Sequence, residues 1–389
     1  MWRRGANLAA GISACGAIAM AMLWCVSRPI GDPNVPAQFV LWTPTWAFAV
    51  AAAALVSVSW CLAMLGRRSL SEPEVYANDA LRRPKFRVLR RAGLVAAAAL
   101  MAFAVVADWR MANALLGPEP APRERTLRLL NWNPTATFMT TFPDRIGPIE
   151  ADVALIANPP AVVDWTLVRD GFAPGRDALR YGRFAVISKY PVLRWGWSDL
   201  KVRGSEPVLQ STHKASWLTI DTGQAMWVEL DTTAALGRPL VVWFIDMPSH
   251  PRISREKAFG VAAQAMREWN GRAMERSSQD AEAPMSAEAF AARFGGTGPG
   301  GLGFPKPDLV VGDFNTPRGS PSIRRLVPEG MRSAFAQAGY GPMGTWPRAM
   351  AVLGIDQAYT AEWLNVTRYD VVDLELGEHR AQVIEMTAR

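Results

Sequence analysis

Three stretches in the first third of the chain are almost free of charge, and they constrain its fold more than any other feature. They run over about residues 7–26, 39–65 and 92–109. A helix that crosses a bilayer needs about 20 apolar residues. The first two stretches reach that length, and the third is shorter and rich in alanine. A buried helix or a cleaved leader would explain one such segment. Three in series, each ringed by arginine, read as membrane spans.

Loop charge sets the expected orientation. Between the second and third stretches lie Arg67, Arg68, Arg82, Arg83, Lys85, Arg87, Arg90 and Arg91, whereas the first connection carries only Arg28. Loops rich in Lys and Arg stay in the cytoplasm. The N-terminus, with Arg3 and Arg4, is therefore expected inside, and everything after about Trp109 outside. These features predict a multi-pass inner-membrane protein with a periplasmic C-terminal portion.

The net charge of +7 belongs to this anchor. Residues 1–117 hold 12 Lys/Arg and 5 Asp/Glu, which leaves 30 of each sign for the remainder. A protein that tracks a phosphate backbone carries a basic footprint, and the C-terminal portion has none in bulk. The three cysteines, Cys15, Cys25 and Cys61, all fall in the predicted spans. The outer portion therefore has no disulfide, thiolate nucleophile or cysteine-ligated zinc.

Residues 118–125 read as a proline-rich linker, and residues 126–389 as one domain. Apolar β-rich runs predict strands at about Leu127–Trp132, Val153–Ala157, Phe184–Ser188, Ser216–Asp221, Met226–Leu230, Leu240–Ile245, Leu309–Val311 and Val383–Met386. Helical patterns fall near Ile253–Glu275, Ser322–Val327 and Met331–Ala338. A glycine-rich stretch within about 277–305, with a short helical piece at 286–294, reads as a surface insertion. Strands interspersed with helices predict an α/β sandwich.

Gly312-Asp313-Phe314-Asn315 closes one of these strands. In extended backbone, residues i and i+2 point the same way, so Asp313 and Asn315 are expected to face one site. There a carboxylate can activate water and an amide can hold an oxyanion. Other fragments join it in order: Asn131-Trp132-Asn133, Ala151-Asp152-Val153, Gly182-Arg183-Phe184, Thr345-Trp346-Pro347, Ile355-Asp356 and Glu378-His379-Arg380.

This series resembles the endonuclease/exonuclease/phosphatase superfamily, in particular its bacterial members with a membrane anchor. The resemblance implies a four-layer α/β sandwich, two mixed sheets flanked by helices, preceded here by three transmembrane helices. It also implies a phosphoesterase dependent on Mg²⁺ or Mn²⁺. By the same resemblance Asp313 orients or deprotonates the attacking water and Asn315 contacts the phosphoryl group. His379 stabilises charge on that group and Asp356 orients the histidine. Asn133 lies near the metal.

The sequence departs from the family where it ligates metal. A glutamate usually ends the second strand, and here that place is Asn158. Asp246 stands where a histidine is common, with His250 four residues on, and Glu378 replaces an aspartate before His379. Mg²⁺ prefers anionic oxygens, so weak binding is expected unless Asp246 or Glu378 supplies the lost charge. Plainer roles exist for several of these residues: Asn133 and Asp356 as turn formers, His379 in an exposed loop, His213 and His250 at the surface. Trp195, Trp197, Trp217, Trp227 and Trp243 read as core or interface aromatics.

The expected partners are the bilayer, through three spans, and a small phosphoester or phospholipid head group. Nucleic acid is less favoured, given the balanced charge. Two further readings stay open: a pseudoenzyme that binds a phosphorylated ligand or protein, and a nuclease.

Overall fold

The computed structural model describes residues 2–68, 84–119, 122–135, 142–159, 177–202, 222–270, 274–275 and 303–389. The chain forms two units, Met1–Trp109 and Arg110–Arg389.

The first unit is helical, with helices Trp2–Ile30, Val35–Trp42, Thr45–Arg68 and Pro84–Phe103 and a π-helical turn over Ala104–Asp108. Three stretches, Leu8–Ile30, Thr45–Leu65 and Arg87–Leu116, are long and apolar enough to cross a membrane. Small residues let these helices approach closely, as in lipid, where apolar burial drives little association. Ala17, Ala52, Val56 and Ala97 form one contact cluster, and a Cβ on Gly93 would lie 2.9 Å from Val56. Leu8, Val58 and Val95 face outward.

Two boundaries differ from the sequence expectation. Residues 35–42 form their own short helix, since the chain turns extended at Thr43 ahead of Pro44. The third long helix starts at Pro84, so Lys85, Arg87, Arg90 and Arg91 occupy its opening turns and not a loop. Arg90 is buried there with its guanidinium over the Trp60 ring.

The second unit is a sandwich of two mixed sheets. Its strands are β1 (Leu127–Trp132), β2 (Val153–Ala157), β3 (Asp177–Tyr181), β4 (Phe184–Ser188), β5 (Val192–Asp199), β6 (Gln224–Leu230) and β7 (Leu240–Asp246). There follow β8 (Met274–Glu275), β9 (Leu309–Asp313), β10 (Arg332–Ser333), β11 (Asp356–Thr360), β12 (Leu364–Val372) and β13 (Ala381–Ala388). One sheet runs β12-β13-β1-β2-β4-β3 and the other β10-β11-β9-β7-β6-β5-β8. The parallel pairs are β1–β2 and β7–β9, near the middle of each sheet.

The period of two along each strand builds the layers. Leu127, Leu129, Val153 and Leu155 meet Val242, Phe244, Leu309 and Val311 in the core between the sheets. The alternate residues Leu130, Trp132 and Ile156 face outward against Ile146 and Leu374. On the far side, Trp227, Ile245 and Val310 pack beneath Ala258, Phe259, Ala262 and Met266 of the helix Arg255–Arg267.

Several expected elements change. The helix predicted to reach residue 275 ends at Arg267, and Met274–Glu275 pairs with β5. The helix predicted over 322–327 is a 3₁₀ segment, Pro321–Arg325. At 331–338, two residues of strand precede the helix Ala334–Ala338. The strand expected at 216–221, the helical piece at 286–294 and most of the glycine-rich insertion lie outside the described residues. The segment around the predicted linker is held in place: the Asn113 amide donates to the Gly339 carbonyl at 2.9 Å, and Arg123 grips Asp152 with two hydrogen bonds of 2.7 and 2.9 Å.

Candidate active site

Strand register assembles the acidic centre. In the β7–β9 pair Asp246 stands opposite Asp313, and in the β9–β11 pair Asp356 stands opposite Asp313. Residues directly opposed on neighbouring strands point to the same face. Three buried carboxylates therefore line up across the end of one sheet. Gly312 makes the close pairing feasible: it sits at φ 138°, and a Cβ there would lie 1.9 Å from the Ile245 carbonyl oxygen.

The other sheet supplies the amides. Asn133, just past β1, donates from Nδ2 to Asp313 Oδ2 at 2.9 Å. Asn158, just past β2, adopts φ 47° and donates from Nδ2 to Asp246 Oδ2 at 3.1 Å and to Asn133 Oδ1 at 3.3 Å. The site thus bridges the ends of both sheets.

His379 enters from the loop before β13. Its Nδ1 lies 2.8 Å from Asp356 Oδ2, and its Nε2 lies 3.9 Å from Asp313 Oδ2. The loop is fixed from below, because the Trp132 indole N–H donates to the His379 carbonyl at 3.1 Å. Gln382 donates to the Asp356 carbonyl at 2.6 Å while accepting from Asn131 at 2.8 Å. A buried polar ladder therefore joins β1, β13 and β11 beneath the histidine.

Burial and neighbouring charge set the protonation states. Burial foremost, then the Asp356 charge, pushes the Asp313 carboxyl up to about 7, against the opposing pull of His379. Burial alone would lower the His379 pKa. Asp356, which both attracts and hydrogen-bonds the ring, overrides it together with Asp313 and Asp246, and the value rises to about 9. His379 is therefore an imidazolium near neutrality. A raised histidine pKa stabilises the fold fully below about 6.5, and that contribution is lost as pH climbs through about 9. Asp313 binds its proton more tightly folded than unfolded, so its contribution also fades as pH climbs through about 7. Both signs predict a melting temperature that falls between pH 6 and 9, readable by circular dichroism. His379→Gln should flatten the upper part of that slope.

Two residues sit differently from the sequence expectation. The extended backbone ends at Asp313, and Asn315 takes φ 46°. Its backbone N–H donates to Asp313 Oδ1 at 2.8 Å and its amide to the Met247 carbonyl at 2.7 Å. Asn315 thus orients Asp313 through its backbone N–H, and its side-chain NH2 is engaged by the Met247 carbonyl. Glu378 is exposed, whereas the adjacent His379 is buried. His250 lies at a turn, accepting the Arg252 N–H, and His213 and Trp217 lie outside the described residues.

The sequence reading overlooked Arg183. It occupies the two-residue Gly182-Arg183 turn of the β3–β4 hairpin, where its carbonyl accepts the Asn158 N–H at 2.7 Å. Its Nη1 lies 3.3 Å from Asp246 Oδ2, the oxygen that Asn158 also contacts. The available signal was an arginine beside the strand end in one of the quoted motifs.

The donor chemistry tests whether a divalent ion fits. Asp313, Asp356 and His379 bring their potential ligand atoms within 4.8 Å of one another. Both ends of this trio are already engaged, however, His379 Nδ1 by Asp356 at 2.8 Å and Asp313 Oδ2 by the Asn133 amide at 2.9 Å. The Asn133–Asn158–Asp246 group sets two neutral amides beside Asp246, and the Asp246 Oδ2 already faces an amide N–H and a guanidinium. At an effective dielectric of about 20, unit charges about 4 Å apart interact by about 4 kcal/mol, so Arg183 offsets much of what Asp246 offers a cation. These residues do not fit a tightly held Mg²⁺ ion.

No family model and no curated protein matches this sequence. Among solved structures it is similar to an endonuclease/exonuclease/phosphatase family protein from Bacteroides thetaiotaomicron, at 12% identity and TM-score 0.44 over 68% of this chain and 98% of the other. It is also similar to a mannosyl-6-phosphatase from the same organism, at 12% identity and TM-score 0.44, covering 67% and 99% of the two chains. A humanized D. rerio TDP2 matches at 13% identity and TM-score 0.43, covering 68% and 100%.

Proposed function

We propose that the second unit is a phosphoester hydrolase of the endonuclease/exonuclease/phosphatase type, tethered to a membrane by the helices that precede it. The observation that carries this reading is the buried chain Asp313–His379–Asp356, with separations of 3.9 and 2.8 Å. Phosphoryl transfer demands little covalent chemistry from a protein and depends on positioning and on neutralising equatorial oxygens. Asp313, held by Asn133 and the Asn315 N–H, takes a proton from the attacking water. The His379 imidazolium, oriented by Asp356, offers Nε2–H to a phosphoryl oxygen.

Because the donor set does not suit a tight Mg²⁺ site, no step here runs through a metal. Titration of the purified protein with Mg²⁺ and Mn²⁺ tests the metal expected from the family resemblance. The balanced charge beyond residue 117 and the tether support a small phosphoester or phospholipid head group as substrate.

The test is hydrolysis of phosphomono- and phosphodiesters by the full chain in detergent, with and without divalent ions. Turnover should follow a bell-shaped pH profile, rising through about pH 7 as Asp313 ionises and falling through about pH 9 as His379 loses its proton. An activity that is flat across pH 6–10 would remove these two residues from their roles. One observation favours a second reading: Asn158 places an amide N–H on Asp246 where the family carries a glutamate. A pseudoenzyme would bind phosphorylated ligand and turn over none of these substrates.

The tether and its orientation are part of the same proposal, supported by three long apolar helices and by the arginines at 67–91. A reporter active only outside the cytoplasm should work when fused after Pro120 and stay silent when fused within 70–85. The reverse pattern would invert the orientation, and cytoplasmic signals from both would remove the third span.

A further inference from the structure

We infer that Arg183 is the resident cation of this site, binding phosphoryl oxygens where a divalent ion would otherwise sit, so that phosphate binding needs no metal. The inference rests on the hydrolase fold and site described above, although it concerns binding and not turnover.

Four observations converge on it. The first is position. Arg183 Nη1 and Asn158 Nδ2 approach one oxygen of Asp246, at 3.3 and 3.1 Å, and Asp246 stands directly opposite Asp313 across the β7–β9 pair. The guanidinium therefore lies one strand away from the carboxylate that would activate water. The second is access. Asp246 is almost fully buried, whereas the Arg183 side chain keeps 35% of its surface exposed, so Arg183 is the more accessible member of the pair.

The third is rigidity. Arg183 is pinned at both ends of its backbone, accepting the Asn158 N–H at 2.7 Å and donating to Gln224 Oε1 at 3.2 Å. Gly182 at φ 57° completes the tight turn, and a Cβ there would meet Gln224 at 3.0 Å. With the backbone fixed in this way, the 3.3 Å contact to Asp246 holds the guanidinium against the site. The fourth is charge balance. Asp246, Asp313 and Asp356 face Arg183 and His379, three potential negatives against two positives. A cation is thus already paired with Asp246, the carboxylate on that side of the cluster. A planar guanidinium also offers paired N–H groups that match two oxygens of a phosphoryl group.

The experiment uses the full chain in detergent micelles, with inorganic phosphate as anion probe and Mn²⁺ as metal probe. In the presence of a chelator, calorimetry should detect phosphate binding to the wild type. Arg183→Gln should weaken it by about 10–100-fold, the range for losing a charge-assisted hydrogen-bond pair. Arg183→Lys keeps the charge but not the fork, and should retain binding between the two. Mn²⁺, followed by its paramagnetic resonance, should bind the wild type poorly and Arg183→Gln about tenfold more tightly, because a repelling cation is gone. Melting curves of both variants establish that they are folded.

Phosphate binding that appears only when Mn²⁺ is added would overturn the inference. So would an affinity unchanged in Arg183→Gln, or no phosphate binding at all. The fate of the hydrolase reading is separate. Metal-free phosphate binding with no turnover sinks the hydrolase and leaves Arg183 in place, whereas turnover accompanied by phosphate binding that requires Mn²⁺ does the opposite.

Discussion

Asp313→Asn and His379→Ala are each expected to lower kcat by about 10²–10⁴-fold, the usual cost of removing a general acid–base group. Asparagine has the shape of aspartate, keeps an oxygen for the Asn315 N–H, and cannot accept a proton from water. The two variants should differ in stability. From sequence alone both residues belong on strand-end loops, where substitution costs little. In the structure both are buried, and His379 is the direct partner of buried Asp356. Removing one member of a buried ion pair costs about 3–5 kcal/mol, because the other charge is stranded. His379→Ala should therefore melt well below the wild type, while Asp313→Asn should lose less, about 1–3 kcal/mol, because its new amide NH2 faces the Asn133 donor. Steady-state kinetics with parallel thermal melts would separate the effects, and an Asp313→Asn enzyme within threefold of wild-type kcat would dismiss Asp313 as the base.

Gly312→Ala should be the most damaging single methyl group in the second unit. The added Cβ would lie 1.9 Å from the Ile245 carbonyl oxygen and 2.8 Å from its nitrogen, and both are backbone atoms that no rotamer change can move. The φ of 138° is itself one that side chains resist. β7 and β9 would have to part at the register pair that aligns Asp246 with Asp313. A loss of more than about 4 kcal/mol is expected, in the range reserved for severe packing faults. Gly237→Ala is the control: its φ is 78° but its Cβ would meet nothing within 4 Å. It should cost about 1–2 kcal/mol from conformation alone. Equal denaturation midpoints for the two variants would refute the packing argument.

The elements legible in the sequence were those whose burial is apolar on both faces. β1, β2, β4, β7 and β9 are nearly continuous runs of Val, Leu, Ile, Phe and Trp, buried throughout or almost so. The strands that escaped notice break that rule. β11 opens with buried Asp356 and Gln357, whose polar atoms are satisfied by tertiary partners that no local pattern reveals. β12 lies at a sheet edge and carries Arg368 and Asp370 on its open side. Within the site, Asp313, Asp356 and His379 could be picked out by motif, and the fold brings them together. Asn315 could not be oriented, because spacing arguments assume a strand that in fact ends two residues earlier. Arg183 was hidden for a related reason: its relation to Asp246 spans 63 residues and two sheets.

The order of strands has a consequence for how the protein comes into being on the ribosome. β13, residues 381–388, is an interior strand lying between β12 and β1, although it is the last of the described strands to be synthesised. Until it emerges, β1 has no neighbour on one side, Gln382 cannot brace Asp356, and the His379 loop hangs from an unfinished edge. Early strands can collapse, but the sandwich cannot close before translation has passed residue 388. A message truncated ahead of codon 381 would thus yield most of the mass of the domain and none of its finished architecture. It would also leave an open apolar strand edge for the cell's proteases and chaperones to find.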